Sequence, residues 1–166
     1  CNVLEGLPNL ELDNYDYILI TKSSKDRLSI GSHLNQILFY GGARSKLNIG
    51  IINLPSENYK LKTNEYEWLK NKLKEDGIIL SLLDFDNTGR NGAKYLKETY
   101  NIPYIFITRG ELGLYNYDCK DFADLHDKYS INEINQFIKE TIRYVELKYK
   151  GGIQNSNACI QGLPFT

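Results

Sequence analysis

The chain has 166 residues, 42% of them hydrophobic and 25% charged, and its mean hydropathy is −0.43. Those figures describe one folded domain and argue against a disordered tail, a collagen-like repeat or a membrane-embedded protein. Twenty basic residues against 21 acidic ones leave a net charge of −1. A protein that grips nucleic acid by bulk positive charge is more basic than this. Any such contact is therefore expected to be local or bridged by metal ions. The sequence contains no Met, which predicts a processed chain or a piece of a longer one. Its three cysteines, Cys1, Cys119 and Cys159, are far apart and form no C-x-x-C pair. Neither a zinc ribbon nor a disulfide framework is complete, and a reducing, cytoplasmic setting is expected.

Residues 1–14 read as an N-terminal extension. Residues 17–21 (YILIT) form a β-rich apolar run and a first strand. A helix follows, with Ser23 or Ser24 as its N-cap and Leu28, Leu34, Ile37 and Leu38 as its apolar positions, and Gly41-Gly42 breaks it. Residues 47–54 read as a second buried strand, ended by Pro55. Thr63 opens a helix with Tyr66, Leu69 and Leu73 as its stripe, and Gly77 is placed at its C′ position.

Residues 78–85 (IILSLLDF) are almost continuously apolar, as in a strand covered on both faces of a parallel sheet. The loop DNTGRNG, residues 86–92, leads into a helix over 93–100. A fourth strand is expected at 104–108 and a loop at 109–119. A last helical region runs from Asp121 to Lys150, split at Ser130 by a capping box with Glu133. Residues 151–166 read as a tail or linker. Strands and helices thus alternate, which predicts an α/β fold with a central parallel sheet of about four strands flanked by helices. Function in such sheets gathers at the carboxyl ends of the strands.

Those ends carry the chemistry. Asp84 and Asp86 follow the most apolar strand, and alternation would turn both carboxylates to one side. Two acids so close repel unless a cation sits between them, and Mg²⁺ takes such oxygen ligands together with phosphates. Alternatively, they are solvated acids of a capped loop. Gly89 permits a tight turn into a helix whose first N–H groups favour an anion. Asp121 and Asp124 share a helix face, either as dipole-complementing acids or as further metal ligands. Glu57 is either a solvated loop acid or a fourth member of the cluster. Lys22 and Lys25 either meet phosphates or are solvated. The histidines, His33 and His126, have no metal spacing. No G-x-S-x-G or Walker loop is present.

Over roughly residues 15 to 130 this pattern resembles a TOPRIM domain, a Rossmann-like catalytic fold, and most of all those of phage primases and primase–helicases. The resemblance rests on ITKSSKD at Ile20–Asp26, on Asp84, Asp86 and Gly89 as D-x-D-x-x-G, and on Lys120-Asp121 followed by Asp124. It implies a catalytic domain over residues 15–150. It implies metal-dependent nucleotidyl transfer, with RNA primers made from nucleoside triphosphates on single-stranded DNA. Mg²⁺ or Mn²⁺ would be held by Asp84, Asp86, Asp121 and Asp124. Lys22, Lys25, Lys120 and Arg90 would neutralise phosphate charge. The implied setting is bacterial or phage-infected cytoplasm, with a helicase or zinc-binding domain in the parent chain and no membrane.

One position departs from the family. Where the general pattern has a catalytic Glu at the end of the first strand, this chain has Lys22. Glu57 is the candidate replacement. Asp84-Phe85-Asp86-Asn87-Thr88 also fits the D-x-D-x-T motif of haloacid-dehalogenase-like phosphohydrolases, in which Asp84 would be the nucleophile. A TOPRIM nuclease and a non-catalytic TOPRIM module are the remaining alternatives.

Overall fold

The structure is a computed structural model that describes Leu4, Gly6, Leu10, Cys119 and residues 14–31, 48–56, 58–84, 86–105, 121–145 and 147–148. Three strands, β1 (Tyr15–Thr21), β2 (Ile49–Asn53) and β3 (Leu73–Leu82), form one parallel sheet in the order β2-β1-β3. Among the described residues five helices accompany them: α1 (residues 24–31), α2 (Thr63–Asn71), α3 (Asn87–Tyr100), α4 (Phe122–Lys128) and α5 (Ile131–Val145). The fold is α/β, a parallel sheet flanked by helices, as the alternating pattern requires.

Among the described residues the sheet has three strands, against the expected four or so. The fourth position is marked only by a parallel bridge between Ser81 and Tyr104. There the Ser81 N–H donates to the Pro103 carbonyl and the Ile105 N–H donates to the Ser81 carbonyl, both at 2.9 Å. Residues 106–108 of the expected strand lie outside the described residues, as do 32–38, Gly41-Gly42, 109–118 and 151–166.

Consecutive residues of β1 are buried, so both sheet faces are covered. Tyr17, Leu80 and Leu82 line one internal wall together with Ile30 of α1, Phe122 of α4 and Phe137 of α5. On α5, Ile134, Phe137 and Ile138 recur at helical spacing and are all buried. On α3, Ala93 and Leu96 are the buried side chains, while α2 contributes Leu69. Leu4 and Leu10 are also buried, so the N-terminal extension supplies part of the core.

The strands start and end within a few residues of the expected bounds, β1 at Tyr15–Thr21 for 17–21, β2 at Ile49–Asn53 for 47–54 and β3 ending at Leu82 for 85, and two further differences have a tertiary cause. The α2 helix ends at Asn71, and residues 73–77 extend β3. The cause is pairing with β1: the Tyr15 N–H donates to the Lys72 carbonyl at 3.0 Å, and Tyr15 pairs with Leu73. Between Tyr15 and Tyr17 the register shifts, so that Tyr17 faces Ile78. Gly77 is therefore a strand residue and not a helix cap. A Cβ there would lie 2.7 Å from the Tyr15 carbonyl oxygen. Lys74, swung into the strand, reaches the buried Asp16 at 3.3 Å.

The second difference is α3, which begins at Asn87 and absorbs most of the segment read as a loop. Asp86 caps it by accepting the Gly89 N–H at 2.8 Å. The break at Ser130 is as expected: its Oγ accepts the Glu133 N–H at 3.2 Å, and the Glu133 carboxylate accepts the Ser130 N–H at 3.0 Å.

Candidate metal centre at the carboxyl edge of the sheet

In the order β2-β1-β3, the chain leaves β1 for one neighbour and later returns to its other side. The connections after β1 and β3 thus diverge, leaving a crevice beyond their carboxyl ends, where open α/β sheets bind ligands. Lys22 follows the last residue of β1, and Asp84 lies two residues beyond β3.

Thr21 anchors the end of β1 by donating its hydroxyl to the Ile52 carbonyl at 3.1 Å. Ser23 then starts α1. Its Oγ accepts the Asp26 N–H at 3.1 Å, and its hydroxyl donates to Asp26 Oδ2 at 2.9 Å. This reciprocal cap folds the Asp26 carboxylate back toward the strand ends. The other oxygen, Oδ1, accepts the Ala123 N–H at 3.0 Å, tying α1 to the first turn of α4 across 97 residues of sequence. Asp121 caps α4, its Oδ1 accepting the Asp124 N–H at 2.7 Å.

Asp26, Asp84 and Asp121 thereby converge. Each presents a carboxylate oxygen within 4.8 Å of the others. Asp26 and Asp84 are buried, and Asp121 is half-buried. Asp84 Oδ2 accepts a hydrogen bond from the Lys22 ammonium, while its Oδ1 is buried with no hydrogen-bond partner among the described residues. Burial pushes the Asp84 carboxyl above its ordinary 3.8. Lys22 opposes the shift, and the charges of Asp121 and Asp86 add to it. Burial likewise raises Asp26, against the bonds from Ala123 and Ser23, with Asp121 and Asp84 adding repulsion.

An acidic trio with one orphaned buried oxygen fits a hard cation that takes oxygen ligands. The three residues could hold a metal ion, which would relieve both the repulsion and the unsatisfied Oδ1.

The remaining candidates fall around this trio. Asp86 is exposed and spends Oδ1 on the α3 cap. Asp124 forms an ion pair with Lys128 at 3.2 Å. Lys25 is exposed on α1, with Asp127 at 3.9 Å, and Arg90 is exposed on the first turn of α3. Gly89 is buried within α3, where a Cβ would lie 2.0 Å from the Asp84 carbonyl oxygen. Its role is thus close approach to the site's backbone and not a turn. Glu57 and Lys120 lie outside the described residues.

Asp26 is the member that the sequence did not single out for a metal. Its signal was present in the Ser23-x-x-Asp26 spacing of a reciprocal cap, read only as a helix start. Among the described residues, no helix is long and apolar enough to cross a membrane. No family model, curated protein or solved structure matches the chain.

Proposed function

We propose that this chain is a TOPRIM-type nucleotidyltransferase domain that makes RNA primers on single-stranded DNA. The observation that carries the reading is the meeting of Asp26, Asp84 and Asp121 at the divergent strand ends, drawn from three separate segments. The order of motifs along the chain, ITKSSKD, D-x-D-x-x-G and Lys-Asp, supports the family assignment.

In this reading Asp26, Asp84 and Asp121 hold Mg²⁺ or Mn²⁺. A bound ion supplies Lewis-acid charge to the triphosphate of an incoming nucleotide and to the departing pyrophosphate. The protein's own groups then divide the remaining work. Asp84, fixed by the close packing of Gly89, sets the position of the site relative to α3. Asp26 locks the start of α1 to the start of α4 and so keeps the three carboxylates in register. Lys22 after β1, Lys25 on the first turn of α1 and Arg90 on the first turn of α3 would neutralise phosphate oxygens. Template binding is shared with other domains of the parent protein, such as a helicase or zinc-binding domain.

The haloacid-dehalogenase-like alternative needs Asp84 as a phosphorylated nucleophile. The primase-type reading is favoured because Asp26 and Asp121, neither part of D-x-D-x-T, crowd against Asp84. The test is synthesis of labelled oligoribonucleotides on single-stranded DNA with Mg²⁺, using the complete gene product and its Asp84→Ala variant. Product from the wild type alone is expected. No product from the wild type, or an aspartyl-phosphate trapped at Asp84, overturns the reading.

A further inference from the structure

The position at which the TOPRIM pattern has a carboxylate is filled here by an ammonium, and the structure shows where its charge goes. Lys22 stands on the short turn between β1 and α1, and its Nζ contacts Asp84 Oδ2. The pair is shielded: the Lys22 side chain is 20% exposed and that of Asp84 is 2% exposed. The turn itself is held by the Thr21 bond to β2 and by the Ser23 cap. Lys22 is thus a cation fixed beside the acidic trio by its backbone.

Formal charge makes the consequence concrete. Three carboxylates and one ammonium leave two negative charges. One divalent ion neutralises that remainder, whereas a second would leave the site positive. The oxygens point the same way. Asp84 Oδ2 is engaged by Lys22, and Asp26 accepts hydrogen bonds at both oxygens. Asp84 Oδ1 is the buried acceptor with no partner among the described residues. It offers one entry for one ion, at the side of Asp84 away from the ammonium.

We propose that Lys22 is a tethered cation that stands in for one metal ion, so that the site takes a single divalent ion, bound against the charge of the Lys22 ammonium. This rests on the metal-dependent reading above and adds Lys22 as the residue that sets metal stoichiometry and affinity. A like charge held a few ångströms from a divalent ion weakens its binding by about tenfold or more, even where the surroundings screen as water does.

The test is equilibrium Mn²⁺ binding, followed by the electron paramagnetic resonance of the free ion and by calorimetry. It compares wild type with Lys22→Met, Lys22→Gln and Lys22→Arg, each checked for folding by circular dichroism. The expected result is one ion per wild-type chain. Lys22→Met and Lys22→Gln should bind Mn²⁺ at least about tenfold more tightly or take up a second ion. Lys22→Arg, which keeps the tethered charge, should stay close to wild type. Two neutral substitutions guard against one of them failing to fold. A wild type that binds one ion with an affinity unmoved or weakened in both neutral variants overturns the role of Lys22 and leaves the metal-dependent reading standing. Two ions in the wild type also overturn it. No Mn²⁺ binding in any of the four proteins overturns both.

Discussion

Gly89→Ala separates local helix preference from the packing that builds the site. Position 89 lies in the first turn of α3, where alanine is favoured over glycine by about 1 kcal/mol. Preference alone predicts a more stable protein. The structure predicts the reverse. An alanine Cβ would sit 2.0 Å from the Asp84 carbonyl oxygen, 2.6 Å from its carbonyl carbon and 2.9 Å from its Cα. All three are backbone atoms, so no rotamer change relieves the clash. The start of α3 must retreat by roughly 1 Å or more to reach ordinary contact distance. Overpacking of this kind costs about 1–3 kcal/mol. The retreat also strains the bond from the Gly89 N–H to Asp86, a cap worth about 1 kcal/mol. Against the gain in helix preference, the net expectation is a loss of about 2 kcal/mol. That corresponds to a fall in Tm of about 4–8 °C for a chain of this size. Gly92→Ala is the control on the same helix. Its Cβ would meet only the side-chain tip of Leu83, at 3.2 Å, and no backbone atom, so it should cost clearly less than Gly89→Ala. Urea unfolding of the two variants decides the matter: Gly89→Ala at or above wild-type stability refutes the close-approach account.

Asp26→Asn should weaken Mn²⁺ binding about as much as Asp84→Asn, whereas Asp86→Asn should weaken it less, because Asp86 lies outside the trio; calorimetry ranks the three. Burial raises the carboxyls of Asp26 and Asp84, so the folded protein holds their protons more tightly than the unfolded chain. Their contribution to stability is therefore fully present below the ordinary carboxylate range and is lost as pH rises through the raised folded values. In chelator, the stability of wild type relative to Asp26→Asn should fall as pH rises above the ordinary carboxylate range, and saturating Mg²⁺ should flatten that fall. A relative stability that rises with pH in chelator contradicts the burial argument. Ser130→Ala removes the acceptor for the Glu133 N–H between α4 and α5 and should cost about 1 kcal/mol in chemical denaturation.

The α/β class was legible because IILSLLDF and YILIT are apolar without alternation and helical patterns lie between them. The break at Ser130 was legible because a capping box is written in four consecutive residues. Boundaries governed by tertiary contact were not. Residues 73–77, LKEDG, end a plausible helix with charge and glycine, and only pairing with Tyr15 makes them strand. DNTGRNG carries two glycines that mark a loop, yet Gly89 is required by the Asp84 backbone inside a helix. The site divides the same way. Asp84 stood out by its place at the end of the most apolar strand, and Asp121 by its pairing with Lys120 and its helix face shared with Asp124. Asp26 did not, because its tie to the start of α4, beside Asp121, is made through the Ala123 N–H, a contact 97 residues away. The near-zero net charge acquires a local meaning. Part of the acidic total is concentrated in three residues at one sheet edge, which leaves the remainder of the sequence more basic than the overall figure.

The central claim is that carboxylates from three segments act as one catalytic metal site. Mg²⁺-dependent incorporation of labelled ribonucleotide on single-stranded DNA, by the complete gene product and its Asp26→Asn variant, tests it most directly. Asp26 belongs to no D-x-D motif, and only the folded geometry marks it as a member of the acidic trio. The account predicts that incorporation requires Mg²⁺ and is lost in Asp26→Asn although that variant folds. Incorporation by Asp26→Asn at the wild-type rate and Mg²⁺ dependence would contradict it.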